Sequence, residues 1–250
     1  MTSTTPTPAA EDLPLEGQHA HEPHTESSAS RINALRAAVL GANDGIVSVA
    51  GLVMGVAGAT TDRNTILVAG VAGLVAGALS MGAGEYVSVS TQRDTERALI
   101  EKETRELAEE PEEELAELAG IYRHKGLSEA LAHQVAVELT EHDALGAHLE
   151  VELGIDPDDL TNPWHAAWAS MLAFTVGALL PVLTILLFAP SLRAVVTLVA
   201  VAFALAGTGL ISAKIGGGAV RPAVLRNMAG GTLAMAVTYV IGTLVGTGLA

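Results

Sequence analysis

The chain has 250 residues, 50% of them hydrophobic, no cysteine and a formal net charge of -15. Without cysteine there are no disulfides, thiolate sites or iron-sulfur ligation, so any metal is held by oxygen, imidazole or thioether. The negative charge argues against nucleic acid as a partner, yet it is local: about 20 of the 28 acidic residues lie between Thr91 and Asp159, only Asp44, Asp62 and Glu85 lie between Arg31 and Ser90, and none follows Leu160.

Residues 1–30, rich in Thr, Pro, Glu and His with no apolar run, read as a disordered tail lacking a signal-peptide core. Its His19, His21 and His24 have two readings, a loose metal collector or a solvated tail without a role. Residues 31–90 hold two apolar runs long enough to span a bilayer. The first span runs from about Ile32 to Ala59, and T-T-D-R-N (Thr60 to Asn64) reverses the chain, with Asp62 or Asn64 capping the second helix. That helix begins near Thr65, stays apolar to Val89 and continues as a charged helix to Glu110, because Pro111 is the first breaker.

Residues 91–162 form an acidic insert of three helices. After the continuation of the second span, one helix covers Glu112 to His124; another, capped by Ser128, runs to Leu153 and ends at Gly154. Leu115, Leu118 and Ile121, with Leu131, Val135, Leu139, Leu145 and Leu149, give it an apolar stripe. Residues 163–250 hold three more spans: Trp164 to Phe188, opened by an interfacial belt of Trp164 and Trp168; Leu192 to Ile215; and Val224 to Leu249, after the turn G-G-G-A-V-R-P. The predicted fold is therefore all-α, a polytopic membrane protein with five transmembrane helices and a cytoplasmic three-helix insert between spans two and three. Arg31, Arg36, Arg93, Arg97, Lys214, Arg221 and Arg226 fall on one side of this layout, against Arg63 and Arg193 on the other, which puts the tail and the insert in the cytoplasm and the C-terminus outside. Gly51/Gly55, Gly73/Gly77 and Gly242/Gly246 have the spacing that allows close helix contact, within the bundle or between subunits.

Two groups of residues carry chemistry. A carboxylate within a span is costly and marks a functional site by default. Asp44 follows Arg36 by eight residues and Glu85 precedes Arg93 by eight, which places each acid roughly 12 Å of helix from a basic anchor and the two at similar depth. Met81 lies one turn before Glu85 on the same face; it is either packing or a soft ligand that, beside carboxylates, suits Fe(II) or Mn(II) better than Mg or Ca. In the insert, Glu103, Glu106 and Glu110 share one helical face, Glu113 or Glu114 with Glu117 another, and Glu141, His148 and Glu152 a third. These are either solvated acidic faces or carboxylates converging on divalent cations. The E-x-x-H motif of a di-iron oxidase occurs only at Glu16 to His19, and there is no P-loop and no nucleophile with a neighbouring base, so an enzyme is not expected.

N-D-G (Asn43 to Gly45), G-A-L-S-M-G-A-G-E-Y (Gly77 to Tyr86) running into V-S-T-Q-R-D (Val89 to Asp94), and the glutamate-rich insert together resemble the vacuolar iron transporter family, which has many bacterial members. The resemblance covers about Leu35 to the end. It implies a homodimeric, proton-coupled exporter of Fe(II), often also of Mn(II), with no cofactor beyond the transported ion. It also implies that Asp44 and Met81 line the translocation path and that Glu103, Glu106, Glu114, Glu117 and Glu152 gather metal in the cytoplasm. Asn33, Ala37 and Gly73 stand where plant members carry further acids, a shortfall for which Glu85 is a substitute. His148 and Leu149 stand in place of paired methionines, so one thioether becomes an imidazole. Two rival readings are a membrane-anchored metal store, with the insert as its active part, and a carrier for another divalent cation.

Overall fold

The computed structural model describes residues 28–156 and 161–248. The predicted tail, with His19, His21 and His24, lies outside the described residues up to 27, and Ser28 to Ser30 already belong to the first helix. The described residues form seven α-helices and no strand: α1 (Ser28–Ala59), α2 (Arg63–Glu109), α3 (Pro111–His124), α4 (Glu129–His148), α5 (Pro163–Leu187), α6 (Arg193–Ile215) and α7 (Val220–Gly248). Five of them, α1 from Leu35 together with α2, α5, α6 and α7, are long and apolar enough to cross a membrane.

Local chemistry sets the boundaries. Asp62, at φ -68 and ψ 118, caps α2 by accepting from the Thr65 amide at 2.7 Å and the Thr65 hydroxyl at 2.6 Å, which decides between the two predicted caps. No proline interrupts the 47 residues of α2 and no glycine follows Gly84 in it, so it extends about 70 Å, more than twice a hydrocarbon core of about 30 Å. It stops at Glu110, immediately before Pro111. The last turn is shorter than the sequence implies: α7 begins at Val220, not Val224, because Pro222 falls in its first turn, where a missing N–H breaks no helical bond.

Helix α1 packs against α2, α5, α6 and α7. Its most extensive packing is against α5, where Gly45 lies so near the backbone that a Cβ there would be 2.2 Å from the Phe174 carbonyl oxygen. Ile46, Val49, Val53, Phe174, Ala178 and Leu205 are buried around this crossing. Large apolar side chains on the outer faces, such as Val176 and Phe203, are exposed, as suits helices surrounded by lipid, where packing and small residues rather than hydrophobic burial hold the bundle. All six glycines of the predicted small-residue spacings meet atoms of their own chain. Gly242 is the tightest, where a Cβ would lie 1.8 Å from the Gly55 carbonyl oxygen. Just beyond the same end of α1, buried Arg193 of α6 donates to the carbonyls of Thr60 (3.1 Å) and Thr61 (3.3 Å), a cation holding the turn between α1 and α2.

The insert is a small bundle of the end of α2 with α3 and α4. Leu118, Ala136 and Ala147 form its centre, with Leu115, Tyr122, Leu139 and Val151 against them. The buried line of α4 is one residue out of step with the predicted stripe: Ala132 and Ala136 face inward while Leu131 is 48% exposed. Small side chains on that line let α3 and α4 approach closely. The predicted single helix to Leu153 is also interrupted. Asp143 has extended dihedrals (φ -157, ψ 91), α4 ends at His148, and Leu149–Leu153 forms one π-helical turn before Gly154, whose φ of 63 ends the segment.

Candidate metal centres

The first candidate is a cleft of about 370 Å³ between α1 and α2, floored by Phe174 of α5. Asp44, Ser48, Ser80, Met81 and Glu85 line it, so the two acids and the methionine singled out in the sequence share one cavity. The acids are not level, however. Gly45, next to Asp44, abuts Phe174, whereas Tyr86, next to Glu85, has its ring 4.7 Å from that of Trp164. Those α5 residues are ten apart, about 15 Å of helical rise. Equal distance from an arginine in sequence did not mean equal depth, because α1 and α2 are displaced along α5. Glu85 thus stands at the level of the tryptophans that open α5, Met81 one turn deeper, and Asp44 deeper still.

The second candidate lies in the insert. Glu103 of α2, Glu114 of α3 and His148 of α4 are all buried, and one ligand atom from each lies within 4.8 Å of the others. Nδ1 of His148 is 3.0 Å from Glu103 Oε1, 3.7 Å from Glu114 Oε2 and 3.6 Å from Glu152 Oε2. Despite these separations, Glu103 Oε1, Glu114 Oε2 and both ring nitrogens of His148 make no hydrogen bond. Nδ1 of His148 and the two carboxylate oxygens lie close together without a hydrogen bond among them. Buried polar atoms without partners are costly, and an ion among Glu103 Oε1, Glu114 Oε2 and Nδ1 of His148 would satisfy those three at once. Burial pushes the carboxyls of Glu103 and Glu114 above their ordinary range, and neighbouring carboxylates (Glu152 for Glu103, Glu117 for Glu114) push further in the same direction, against an opposing pull from His148. Carboxylates with one imidazole suit a divalent first-row ion.

The other predicted ligands are placed around this centre. Glu106 pairs with Lys102 at 2.5 Å, and that carboxylate holds the Lys102 ammonium above its usual range. Glu117 is exposed, close enough to act on Glu114 by charge alone. Glu110, Glu113 and Glu141 are exposed and outside the cluster. The predicted stripe Glu141, His148, Glu152 does not exist as such, since the break at Asp143 turns His148 inward while Glu141 faces out. The sequence reasoning also missed the Tyr86–Trp164 contact; its only signal was the aromatic next to Glu85.

Residues 35–243 match the sequence model of the VIT family. Over 211 residues the chain is 40% identical to the vacuolar iron transporter of Acanthamoeba castellanii, an alignment covering 84% of this chain and 78% of that protein. It is 39% identical over 211 residues to vacuolar iron transporter homolog 1 of Oryza sativa subsp. japonica (84% and 73% covered). With vacuolar iron transporter homolog 2.1 of Arabidopsis thaliana the figure is 37% over 214 residues (85% and 82%).

Proposed function

The chain belongs to the VIT family, and from that membership we propose that it is a proton-coupled transporter that exports Fe(II), and Mn(II) as a second substrate, from the cytosol across the cell membrane. In this reading five helices span the bilayer as a homodimer with no cofactor, and the N-terminus and the insert are cytoplasmic, as the distribution of Arg and Lys favours. The buried atoms of Glu103, Glu114 and His148 capture the ion, with Glu152 beside them and Glu106 and Glu117 as outlying acids that draw cations in. The ion then enters the cleft at Glu85, passes Met81 and reaches Asp44. Metal and protons compete for the same carboxylate lone pairs, so protons arriving from the far side displace the ion outward.

The observation that carries the reading is that one unbroken helix, α2, supplies Glu103 to the closed cluster and Met81 and Glu85 to the cleft. A store anchored in the membrane would need the cluster and not the cleft. Proteoliposomes loaded with a metal-sensitive dye test the proposal, with Fe(II), Mn(II), Zn(II) and Ca(II) supplied in turn, with and without a proton gradient. Fe(II) and Mn(II) flux that grows with the gradient is the expected result. Flux indifferent to the gradient removes the coupling, and full transport by Asp44→Ala removes the path.

A further inference from the structure

We propose that Asp143 is a positioning residue: the helix break it makes in α4 sets the rotational phase that brings His148 into the metal cluster. The proposal rests on the reading of Glu103, Glu114 and His148 as a capture site. Its starting point is a mismatch between helical geometry and the observed burial.

Along an α-helix each residue turns about 100° from the one before. Ala132 and Ala136 are buried and Leu139 is partly buried, and these three define the face that α4 presents to the insert. Continued without interruption, that helix would place His148 about 150° away from this face, toward solvent, and would turn Asp143 inward. The structure has the reverse: His148 is fully buried, together with Ala147 and Leu149, and Asp143 is exposed. The phase is therefore reset between Leu139 and Ala147. Within that stretch only Asp143 leaves helical dihedrals.

Asp143 also has the chemistry to start a new helix. Its Oδ1 accepts from the amide of Gly146 at 3.0 Å, three residues on, as an N-cap aspartate does. Gly146 is matched to this, since a Cβ there would lie 2.3 Å from Asp143 Oδ2 and would drive the carboxylate off the amide. The new segment runs from Ala144 through the π turn Leu149–Leu153 and closes with the Ile155 amide on the Leu149 carbonyl at 2.8 Å, beside left-handed Gly154. It carries both His148 and Glu152. Neither proline nor glycine makes the break; a capping side chain does.

The test uses the full-length protein in detergent micelles, titrated with Co(II) and followed by its visible absorption, which reports nitrogen ligation and coordination number. Asp143→Ala removes the cap, Asp143→Asn keeps an acceptor without the charge, and His148→Ala removes the ligand itself. We expect Asp143→Ala to weaken binding about tenfold or more, as supporting residues around metal ligands do, and to lose the imidazole-dependent part of the spectrum. Asp143→Asn should stay within about threefold of the parent with the spectrum kept, and Gly146→Ala should behave as Asp143→Ala does. Parent-like binding and spectrum in Asp143→Ala overturn the positioning role, as does Asp143→Asn failing as badly as Asp143→Ala, since charge and not capping would then matter. Failure of the underlying site reading looks different: His148→Ala and Glu103→Gln would bind like the parent. If Asp143→Ala does not fold, Asp143→Asn and Gly146→Ala decide between the same outcomes.

Discussion

Nδ1 of His148 stands 3.0 Å from Oε1 of Glu103, both side chains are closed to solvent, and neither atom makes a hydrogen bond. Two groups placed so close without a hydrogen bond keep only an attraction by charge, and each has lost the water that would have solvated it. An ion between them recovers both losses. The relationship also joins α2 to the last turn of α4, so loading the site ties together two elements that are distant in sequence.

Removing either member should therefore empty the insert. His148→Ala or Glu103→Gln is expected to weaken Mn(II) binding by more than the roughly tenfold typical of a supporting residue, whereas Glu141→Gln, on the exposed face of α4, should leave it unchanged. Isothermal titration of the purified proteins with Mn(II) reads both effects.

The raised carboxyls of Glu103 and Glu114 give the insert a pH dependence that metal reverses. Their folded values lie above the ordinary 4.5, so the ion-free folded state holds more protons than the unfolded chain. The stability this brings is fully present below 4.5 and is lost as pH rises through the raised range. Ion-free protein should thus show stronger amide protection in α3 and α4 at about pH 5.5 than at about pH 7.5. With saturating Mn(II) the order should invert, because ligation requires both acids ionised. Hydrogen exchange read by mass spectrometry checks the pair of signs.

In the cleft, the staggered order of Glu85, Met81 and Asp44 predicts separable defects. Asp44→Asn should stop transport while leaving Mn(II) binding by the insert intact, and Glu85→Gln should slow entry and raise the concentration for half-maximal flux. Met81→Leu should narrow the preference for Fe(II) over Ca(II), since only the thioether distinguishes a soft from a hard ion there. Flux assays in proteoliposomes, paired with binding measurements on the same preparations, separate these outcomes.

Arg193→Ala removes two hydrogen bonds from a buried cation to the Thr60 and Thr61 carbonyls. Such bonds contribute on the order of 2 kcal/mol, and the loss should lower the thermal unfolding midpoint of the detergent-solubilised protein. Arg193→Lys should recover only part of it, because an ammonium lacks the fork that reaches two carbonyls at once.

Much of this architecture was legible from residue order. The apolar runs, Asp62 as one of two candidate caps, Pro111 as a stop and Gly154 as a helix end were each written in local chemistry. Family resemblance and periodicity together singled out Glu103, Glu114, His148 and Glu152, side chains that the structure brings close to one another. What periodicity could not supply was phase. It grouped Glu141 with His148 because both lie on one face of an uninterrupted helix, and the break at Asp143 carries no proline or glycine to announce it. It also could not supply the offset of α1 against α2, because depth depends on how each lies along α5, and that is fixed by contacts such as Gly45 on Phe174.

The length of α2 has a mechanical corollary. Glu85 and Glu103 are eighteen residues apart on it, about 27 Å of continuous hydrogen-bonded rod with no joint between them. A tilt of about 10° at the cleft would sweep Glu103 sideways by about 5 Å over that span. The cleft and the cluster are in this sense opposite ends of one lever, and neither can swing without the other registering it.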